Sequence, residues 1–429
     1  MCPSPGMLTD RYELTMLSSW VADGSVRHRA VFEAFARNLP VGRRYGVLGG
    51  LGRLLGLIER FRFSDDEVGW LREQGVVDDA TADYLREFRF TGDIDAYPEG
   101  DLYFPGSPIL TVDGSLGECI VLETIVLSVL NHDSAIASAA ARMVSAAAGR
   151  PLVEMGTRRT HEEAAVAAAR SAYVAGFAST SNLAAGRAYG IPTVGTAAHA
   201  FVLGHESEAA AFRSQVQTQG TGTTLLVDTF DITEGIRTAV AVAGPDLGAI
   251  RIDSGDLAEE SRKARALLDE LGATGTRIIA TSDLDEFLIT ELRDAPIDAY
   301  GVGTRLVTGS GHPTAAMVYK LVAVAEGPEP DAPLRSVAKT SVAKVSVGGR
   351  KTVHREYADG VLAHETFTLD DSAGNVQVAA IRGGEVVHRP TLAEIREHAA
   401  EAVGTLPESV LDVTPGDPYL TVRPRGEQP

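Results

Sequence analysis

Cysteine is nearly absent: the chain of 429 residues holds only Cys2 and Cys119. One lies at the chain end and the other in an apolar run, which excludes a disulfide framework and a cysteine-rich zinc site. Positive charge is also scarce, with 39 Lys and Arg against 58 Asp and Glu, a formal charge of -19. So acidic a surface repels polyanions, and neither nucleic acid nor a membrane is expected as a partner. Residues 1–10 lack a basic segment followed by an apolar one, so no secretory signal is expected. The longest apolar run, Cys119 to Leu130, carries Glu123 and is too short to span a bilayer. The expectation is a soluble cytoplasmic protein whose phosphate-bearing ligands, if any, need a local basic pocket.

What is present is ample core material, with 44% hydrophobic and 23% charged residues, and a length enough for one large α/β domain with a second layer or for two or three domains. Residues 1–115 mix strand-like and helical pieces. VFEAFARNLP (31–40) has strand composition, and residues 93–112 read as short strands punctuated by Pro and Gly. From Gly117 to Ala148 the pattern turns helical, with polar breaks around Asn131 to Ser134. After 335 the regularity is lost. Residues 336–357 alternate like strands and are basic, and residues 389–403 read as a helix with Thr391 as cap and Glu394 three residues on. These pieces are expected to complete the sheet begun at the N-terminus.

The middle of the chain repeats one pattern. Seven apolar runs (151–159, 174–182, 191–199, 223–229, 247–256, 276–283 and 297–304) each end in polar or Gly residues, and several lead into helical segments such as 161–173 and 257–272. That is the signature of βα units rather than of a sandwich. In a (β/α) barrel the carboxyl ends of the strands converge on one mouth. The rule gathers Arg158, Arg159, Ser179, Ser181, His199, Asp228, Arg251, Asp253, Asp256, Ser282, Asp283, Gly301, Gly303 and Thr304 there. Cations, carboxylates, hydroxyls and Gly-rich backbone at one rim suit a phosphorylated sugar.

Each motif also has a plainer reading. LTDRYELTM (8–16) reads as a capped helix, with Thr9 or Asp10 as cap and Leu14 and Leu17 inward. Arg158 and Arg159 in a strand-to-helix turn suit bidentate recognition of carboxylate or phosphate, or form a surface pair balanced by Glu162 and Glu163. His199 follows small residues, and His205, six positions on, does not complete a helical metal pair. Arg251 and Asp253 share a strand face, where carboxylates can accept ribose hydroxyls, hold Mg²⁺ or stabilise an electron-deficient sugar carbon. Asp256 is explained as well by a helix cap. Gly301, Gly303 and Thr304 form a glycine-rich strand end able to make an anion nest.

Taken in order, TDRYELTM, FARNLP, LETIVLSVLN, GTRRTHEEAA, GFASTSNLAAGRAYG, GTAAHAFV, IRIDSGDL, GVGTRLVT and VYKLV resemble the nicotinate phosphoribosyltransferase family over nearly the whole chain. The resemblance implies a type II phosphoribosyltransferase fold. An irregular (β/α) barrel (116–334) would carry the active site, beside an α/β sandwich domain built from 1–115 and 335–429. It implies a homodimer with a shared site, nicotinate and phosphoribosyl pyrophosphate as substrates, and ATP as co-substrate hydrolysed through a phosphohistidine at His199. Tyr12 resembles the aromatic that stacks on the pyridine ring from the neighbouring subunit. Arg158 and Arg251 resemble ligands of the pyridine carboxylate and the phosphoribosyl group. Asp253 resembles a ribose-side or metal-side carboxylate, so Asp253 and Asp256 are the candidate Mg²⁺ contacts. Ser282, Asp283, Gly301, Gly303 and Thr304 resemble the phosphate and ribose loops. The chain departs from many relatives at Met155, where they carry an aromatic, so a thioether replaces one side of the ring sandwich.

The chemistry agrees with this resemblance. A pyridine nitrogen already has its lone pair, so the enzyme needs no general base but must align C1′ and stabilise a cationic sugar and departing pyrophosphate. The alternatives are the same fold acting on nicotinamide or quinolinate, or a phosphate-binding barrel lyase. The amide-using relative is expected to carry an aspartate where this chain has Ser181. A lyase would need a Schiff-base lysine, for which Lys320 is the candidate.

Overall fold

The structure is a computed structural model that describes residues 4–329, 332–339, 347–370 and 373–426. The chain divides into two compact units. The first comprises residues 1–135, 314–410 and 414–429, and the second 136–313 with 411–413.

In the first unit, a seven-stranded antiparallel sheet runs in the order Leu334–Ser336, Met317–Ala325, Arg29–Ala36, Pro108–Ser115, Asp93–Ala96, Val378–Arg382, Glu385–Val386. Both ends of the chain thus supply its strands. Arg29–Ala36 lies between two neighbours and is buried along all but its first residue, which suits its run of apolar side chains. Helix Arg11–Asp23 turns Leu14 and Leu17 into this core, beside Leu51, Leu54 and Ile58 from the helix Leu51–Glu59. A second sheet of three strands, Thr352–Ala358, Val361–Thr368 and Arg423–Pro424, belongs to the same unit. Strand Met317–Ala325 is paired along its length with Arg29–Ala36, so the expected boundary at 334/335 moves back to 313/314. The boundary expected at 115/116 moves forward to 135/136.

The break expected around Asn131 to Ser134 does not occur, because one helix runs through it from Glu123 to Ala147. The polar residues serve partners distant in sequence. Asn131 Oδ1 accepts from the Met317 amide at 2.7 Å, Asp133 pairs with Arg53 at 2.8 Å, and Ser134 Oγ accepts from the Gly49 amide at 3.0 Å. The helical stretch Leu116–Ala147 is consequently long and apolar enough to cross a membrane by composition, yet 67% of its most apolar window is buried, as in a core helix. Of the expected strands over 336–357, Thr352–Ala358 is one, while 340–346 lie outside the described residues, as does Cys2. The helix near the C-terminus runs Leu392–Gly404, and Thr391 and Glu394 form its capping box.

The second unit holds the parallel sheet. Its strands in chain order are β1 (Leu152–Glu154), β2 (Ser179–Thr180), β3 (Thr224–Leu226), β4 (Ala249–Ile252), β5 (Arg277–Ser282) and β6 (Ala299–Val302). They lie in the order β2-β1-β6-β5-β4-β3 and curl into half a barrel. Six strands stand where seven runs were read. IPTVGTAAH makes only a single bridge, Thr193 to Thr180; Pro192 has no amide hydrogen to donate and Val194 is exposed. Several turns into helices carry a short polar cap: Asn182, Asp231, Asp256 and Asp285 accept backbone N–H groups of the helices they precede. The helices bury Ala-rich and aliphatic faces against the sheet, as with Ala168, Ala172, Ile236 and Leu268.

Candidate active site

Arg251 organises the carboxyl ends of β4 and β5. Its Nε donates to Thr281 Oγ1 at 3.1 Å, and Nη1 donates to Thr196 Oγ1 and, at 3.1 Å, to the Ala197 carbonyl. Nη2 stands 3.8 Å from Asp253 Oδ2, while Thr281 Oγ1 donates to Asp253 Oδ1. The guanidinium therefore ties two strand ends to the loop before His199, with its positive charge facing mostly neutral acceptors. β4 and β5 run parallel with Arg251 opposite Ile279, so Thr281 comes from the same face of the neighbouring strand.

His199 opens the short helix His199–Leu203 and is half-buried. Its Nδ1 lies 3.1 Å from Thr229 Oγ1, just past β3. Asp228, at the same strand end, is buried. Oδ2 accepts from the Asp253 amide at 2.9 Å and from Ser254 Oγ at 2.7 Å, and Oδ1 has no partner. A half-satisfied buried carboxylate is costly, so it marks a place where a further donor is wanted.

Arg158 and Arg159 end the 3-10 turn Thr157–Arg159 after β1 and are exposed. Beneath them Glu154 is fully buried, and burial pushes its carboxyl above the ordinary range against the hydrogen bonds from Thr180 and Gly156. Ser179 is buried and Ser181 half-buried at the end of β2, while Ser282, the last residue of β5, and Asp283 after it stand exposed. Gly301 and Gly303 have no positive φ, and for Gly301 the reason for glycine is space. A Cβ on Gly301 would meet Thr281 Cγ2 at 2.6 Å and Met155 Sδ at 2.7 Å. Met155 therefore packs its thioether over the end of β6. Thr304 starts the short helix Thr304–Val307.

The capping explanation of Asp256 is the one the structure supplies, since Oδ1 accepts from the Ala258 and Glu259 amides. Among the described residues no three His, Cys, Asp or Glu side chains group in a way that could hold a metal. Lys320 lies on the antiparallel sheet of the first unit, opposite Glu33, so the lysine needed by a barrel lyase is not at a parallel strand end.

Tyr12 belongs to the first unit, 46% exposed on the helix Arg11–Asp23. Burial and the nearby carboxylates of Glu123 and Glu13 push its phenol above the ordinary value, and its hydroxyl bonds Glu123. The next residue, Glu13, is fully buried. Thr9 and Thr124 hydroxyls and the Thr124 amide all donate to it, yet burial still raises its carboxyl to about 7. Thr9 thus bonds Glu13 rather than capping the helix, and the N-cap position is Asp10 without a side-chain bond.

Thr281, Thr196, Thr229, Glu154 and Asn182 were missed by sequence reasoning. A signal existed for Thr281 alone, which continues the strand alternation of Arg277 and Ile279 into the rim.

Two family profiles match this chain: the nicotinate phosphoribosyltransferase N-terminal domain over residues 7–131, and the nicotinate phosphoribosyltransferase family over 151–371. The chain is 55% identical to nicotinate phosphoribosyltransferase pncB1 of Mycobacterium tuberculosis, over 97% of its length and 95% of that protein. The chain belongs to the nicotinate phosphoribosyltransferase family. Another family member, nicotinate phosphoribosyltransferase of Bacillus subtilis, is 39% identical over 81% of this chain and 72% of its own. The human nicotinic acid phosphoribosyltransferase structure superposes with a TM-score of 0.81 at 23% identity, covering 97% of this chain and 98% of its own. A nicotinate-nucleotide pyrophosphorylase structure from Pyrococcus furiosus gives 0.76 at 24% identity, covering 93% and 95%. At those identities the superpositions establish the fold, which is that of the family.

Proposed function

We propose that the protein joins nicotinate to the ribose of phosphoribosyl pyrophosphate, forming nicotinate mononucleotide and pyrophosphate. The pyridine nitrogen attacks C1′ with its own lone pair. The C1′–O bond breaks, its electron pair leaves on pyrophosphate, and the positive charge passes to the ring nitrogen without any proton transfer. The observation that carries this reading is Arg251, a positive charge set among hydroxyls and a carbonyl at the strand ends of a strongly acidic chain. Pre-placed, desolvated donors of this kind stabilise charge that develops on a departing anion. Arg158 and Arg159 supply further cations for the pyridine carboxylate and phosphates, with Ser179, Ser181, Ser282, Asp283, Gly301, Gly303 and Thr304 around the ribose and phosphates. Asp253 takes the ribose side. Tyr12 stacks on the ring from a second subunit, so the working form is a homodimer. Ser181, uncharged, does not repel a carboxylate, which favours nicotinate over nicotinamide.

Mg²⁺ fits as a companion of the pyrophosphate, which supplies most of its ligands, with Asp253 as the nearby carboxylate. When bound it neutralises charge on the leaving group. Asp256 is occupied as a cap and contributes less.

ATP coupling through His199 is part of the same proposal. Thr229 holds Nδ1, leaving Nε2 as the nucleophile that takes a phosphoryl group from ATP. Product analysis with nicotinate, nicotinamide and quinolinate, each with phosphoribosyl pyrophosphate and with or without ATP, tests the reading. Nicotinate mononucleotide should form, faster or further with ATP, and turnover of nicotinamide alone would overturn it. His199→Ala should lose both an acid-labile label from γ-labelled ATP and the ATP stimulation. Full stimulation in that variant would remove His199 from the coupling.

A further inference from the structure

The arginine turn and the end of β2 are linked by a closed ring of hydrogen bonds built on one buried carboxylate. Glu154 Oε1 accepts the Gly156 amide, and Oε2 accepts the Thr180 hydroxyl. Thr180 Oγ1 accepts the Asn182 amide at 2.9 Å. Asn182 Oδ1 caps the next helix through the Ala185 amide at 2.8 Å, while Nδ2 donates to Thr157 Oγ1 at 3.2 Å. Thr157 follows Gly156, which closes the ring. The backbone runs alongside it, with the Ser181 amide donating to the Glu154 carbonyl at 2.8 Å and the Met155 amide to the Val302 carbonyl at 2.8 Å.

Strand pairing alone would hold β1 against β2, and an apolar residue at 154 would fill the core at lower cost than an enclosed carboxylate. What the carboxylate adds is orientation. It fixes the amide of Gly156, the pivot of the turn that carries Arg158 and Arg159, and through Thr180 and Asn182 it fixes the segment that carries Ser179 and Ser181. A Cβ at Gly156 would meet Val307 Cγ1 at 2.2 Å, so the turn is confined from its other side as well. Neither arginine has a side-chain partner of its own among the described residues, so the turn beneath them is what sets their aim.

We propose that Glu154, acting through Thr180, Asn182 and Thr157, is a positioning residue that sets the arginine turn against the Ser179–Ser181 strand end for binding of the nicotinate carboxylate. The proposal rests on the nicotinate phosphoribosyltransferase reading, and the variants separate the two. Wild-type turnover of nicotinate tests the function, and the ratio between variants tests the ring.

The exposed hydroxyl of Thr157 can be removed without disturbing the core. Thr157→Ala should raise KM for nicotinate about two- to tenfold, the worth of one neutral hydrogen bond, with kcat and Tm little changed. Thr157→Ser keeps the hydroxyl and should restore KM. Glu154→Gln keeps an acceptor for Gly156 but leaves the Thr180 hydroxyl without one, and should fall between wild type and Thr157→Ala. A merely structural ring predicts the reverse: a lower Tm for Glu154→Gln and an unchanged KM for both Thr157 variants. An unchanged KM in Thr157→Ala, or a Thr157→Ser enzyme as poor as Thr157→Ala, would overturn the proposal while leaving the function standing.

Discussion

Arg355 in the first unit and Arg251 in the second are both enclosed arginines, with side chains 8% and 12% exposed. Their surroundings differ. Arg355 pairs with Asp101 at 2.6 Å and Glu365 at 2.7 Å, lies over the Tyr97 ring and donates to the Leu102 carbonyl. Glu365 in turn accepts from Tyr97 and Ser107, so nearly every charge and lone pair in that cluster is answered within the fold. Arg251 meets two hydroxyls and one carbonyl, and its nearest carboxylate oxygen is 3.8 Å away. A charge already neutralised contributes to holding a fold together. One left among neutral acceptors is suited to an anion that has yet to arrive. The two arginines accordingly contrast a charge answered within the fold with one proposed to meet an anion, and substitutions should separate stability from activity in the same way.

The largest effect is expected at Arg355. Arg355→Ala leaves Asp101 and Glu365 enclosed without their cation, which should cost about 3–5 kcal/mol of stability in denaturant titrations. Turnover per folded molecule should be unchanged. A variant as stable as wild type would break the contrast.

Glu13 gives a pH test in the same unit. Its folded value of about 7 lies above the ordinary carboxyl value of 4.5. The unfolded chain therefore releases this proton first as pH rises. The contribution of Glu13 is most favourable below about pH 4.5, declines as pH rises to about 7 and is level above that, a total of roughly 3 kcal/mol. Glu13→Gln keeps an acceptor for Thr124 and offers a donor to Thr9, so it should flatten this dependence. Unfolding followed from pH 4 to 8 checks it, and an identical slope in both proteins would refute the assignment.

Arg251→Ala should lower kcat/KM about ten- to a hundred-fold, the worth of a charge-assisted bond of about 1.5–3 kcal/mol, with unchanged circular dichroism. Near-normal activity would place Arg251 with Arg355, as a structural cation. The smallest effect is expected at Asp256. Asp256→Ala removes a helix cap and should cost about 1 kcal/mol of stability with activity retained. Lost activity at unchanged stability would return Asp256 to the metal side.

The contrast also explains what the sequence made legible. Parallel βα units could be read because each strand is local in sequence and ends where its apolar run ends, and the rim followed from that rule: Arg251 and Asp253 were placed by alternation along one strand. The partners of those residues could not be read so directly. Thr281 and Thr196 reach Arg251 from 30 and 55 positions away; alternation along TRIIATSD points Thr281 to the rim but does not name Arg251 as its partner. Asn131, Asp133 and Ser134 looked like a helix break because their partners, Met317, Arg53 and Gly49, lie 80 or more residues off. IPTVGTAAH had strand composition, but Pro192 and an exposed Val194 leave it a loop. Local patterning reports which residues face a sheet, whereas buried polar contacts depend on which distant segments meet.

The pairing of Arg29–Ala36 also dictates an order of events during synthesis. One edge of this strand meets Pro108–Ser115, which leaves the ribosome soon after it. The other edge waits for Met317–Ala325, with Ala30 opposite Val324, and the whole of residues 136–313 is made in between. All of the inserted unit but residues 411–413 is thus made while its host still shows an open, apolar strand edge of the kind that recruits other chains. A nascent chain halted near residue 313 would hold every parallel strand and yet lack the strand that closes the older sheet. The last quarter of this protein acts as its own protection against aggregation.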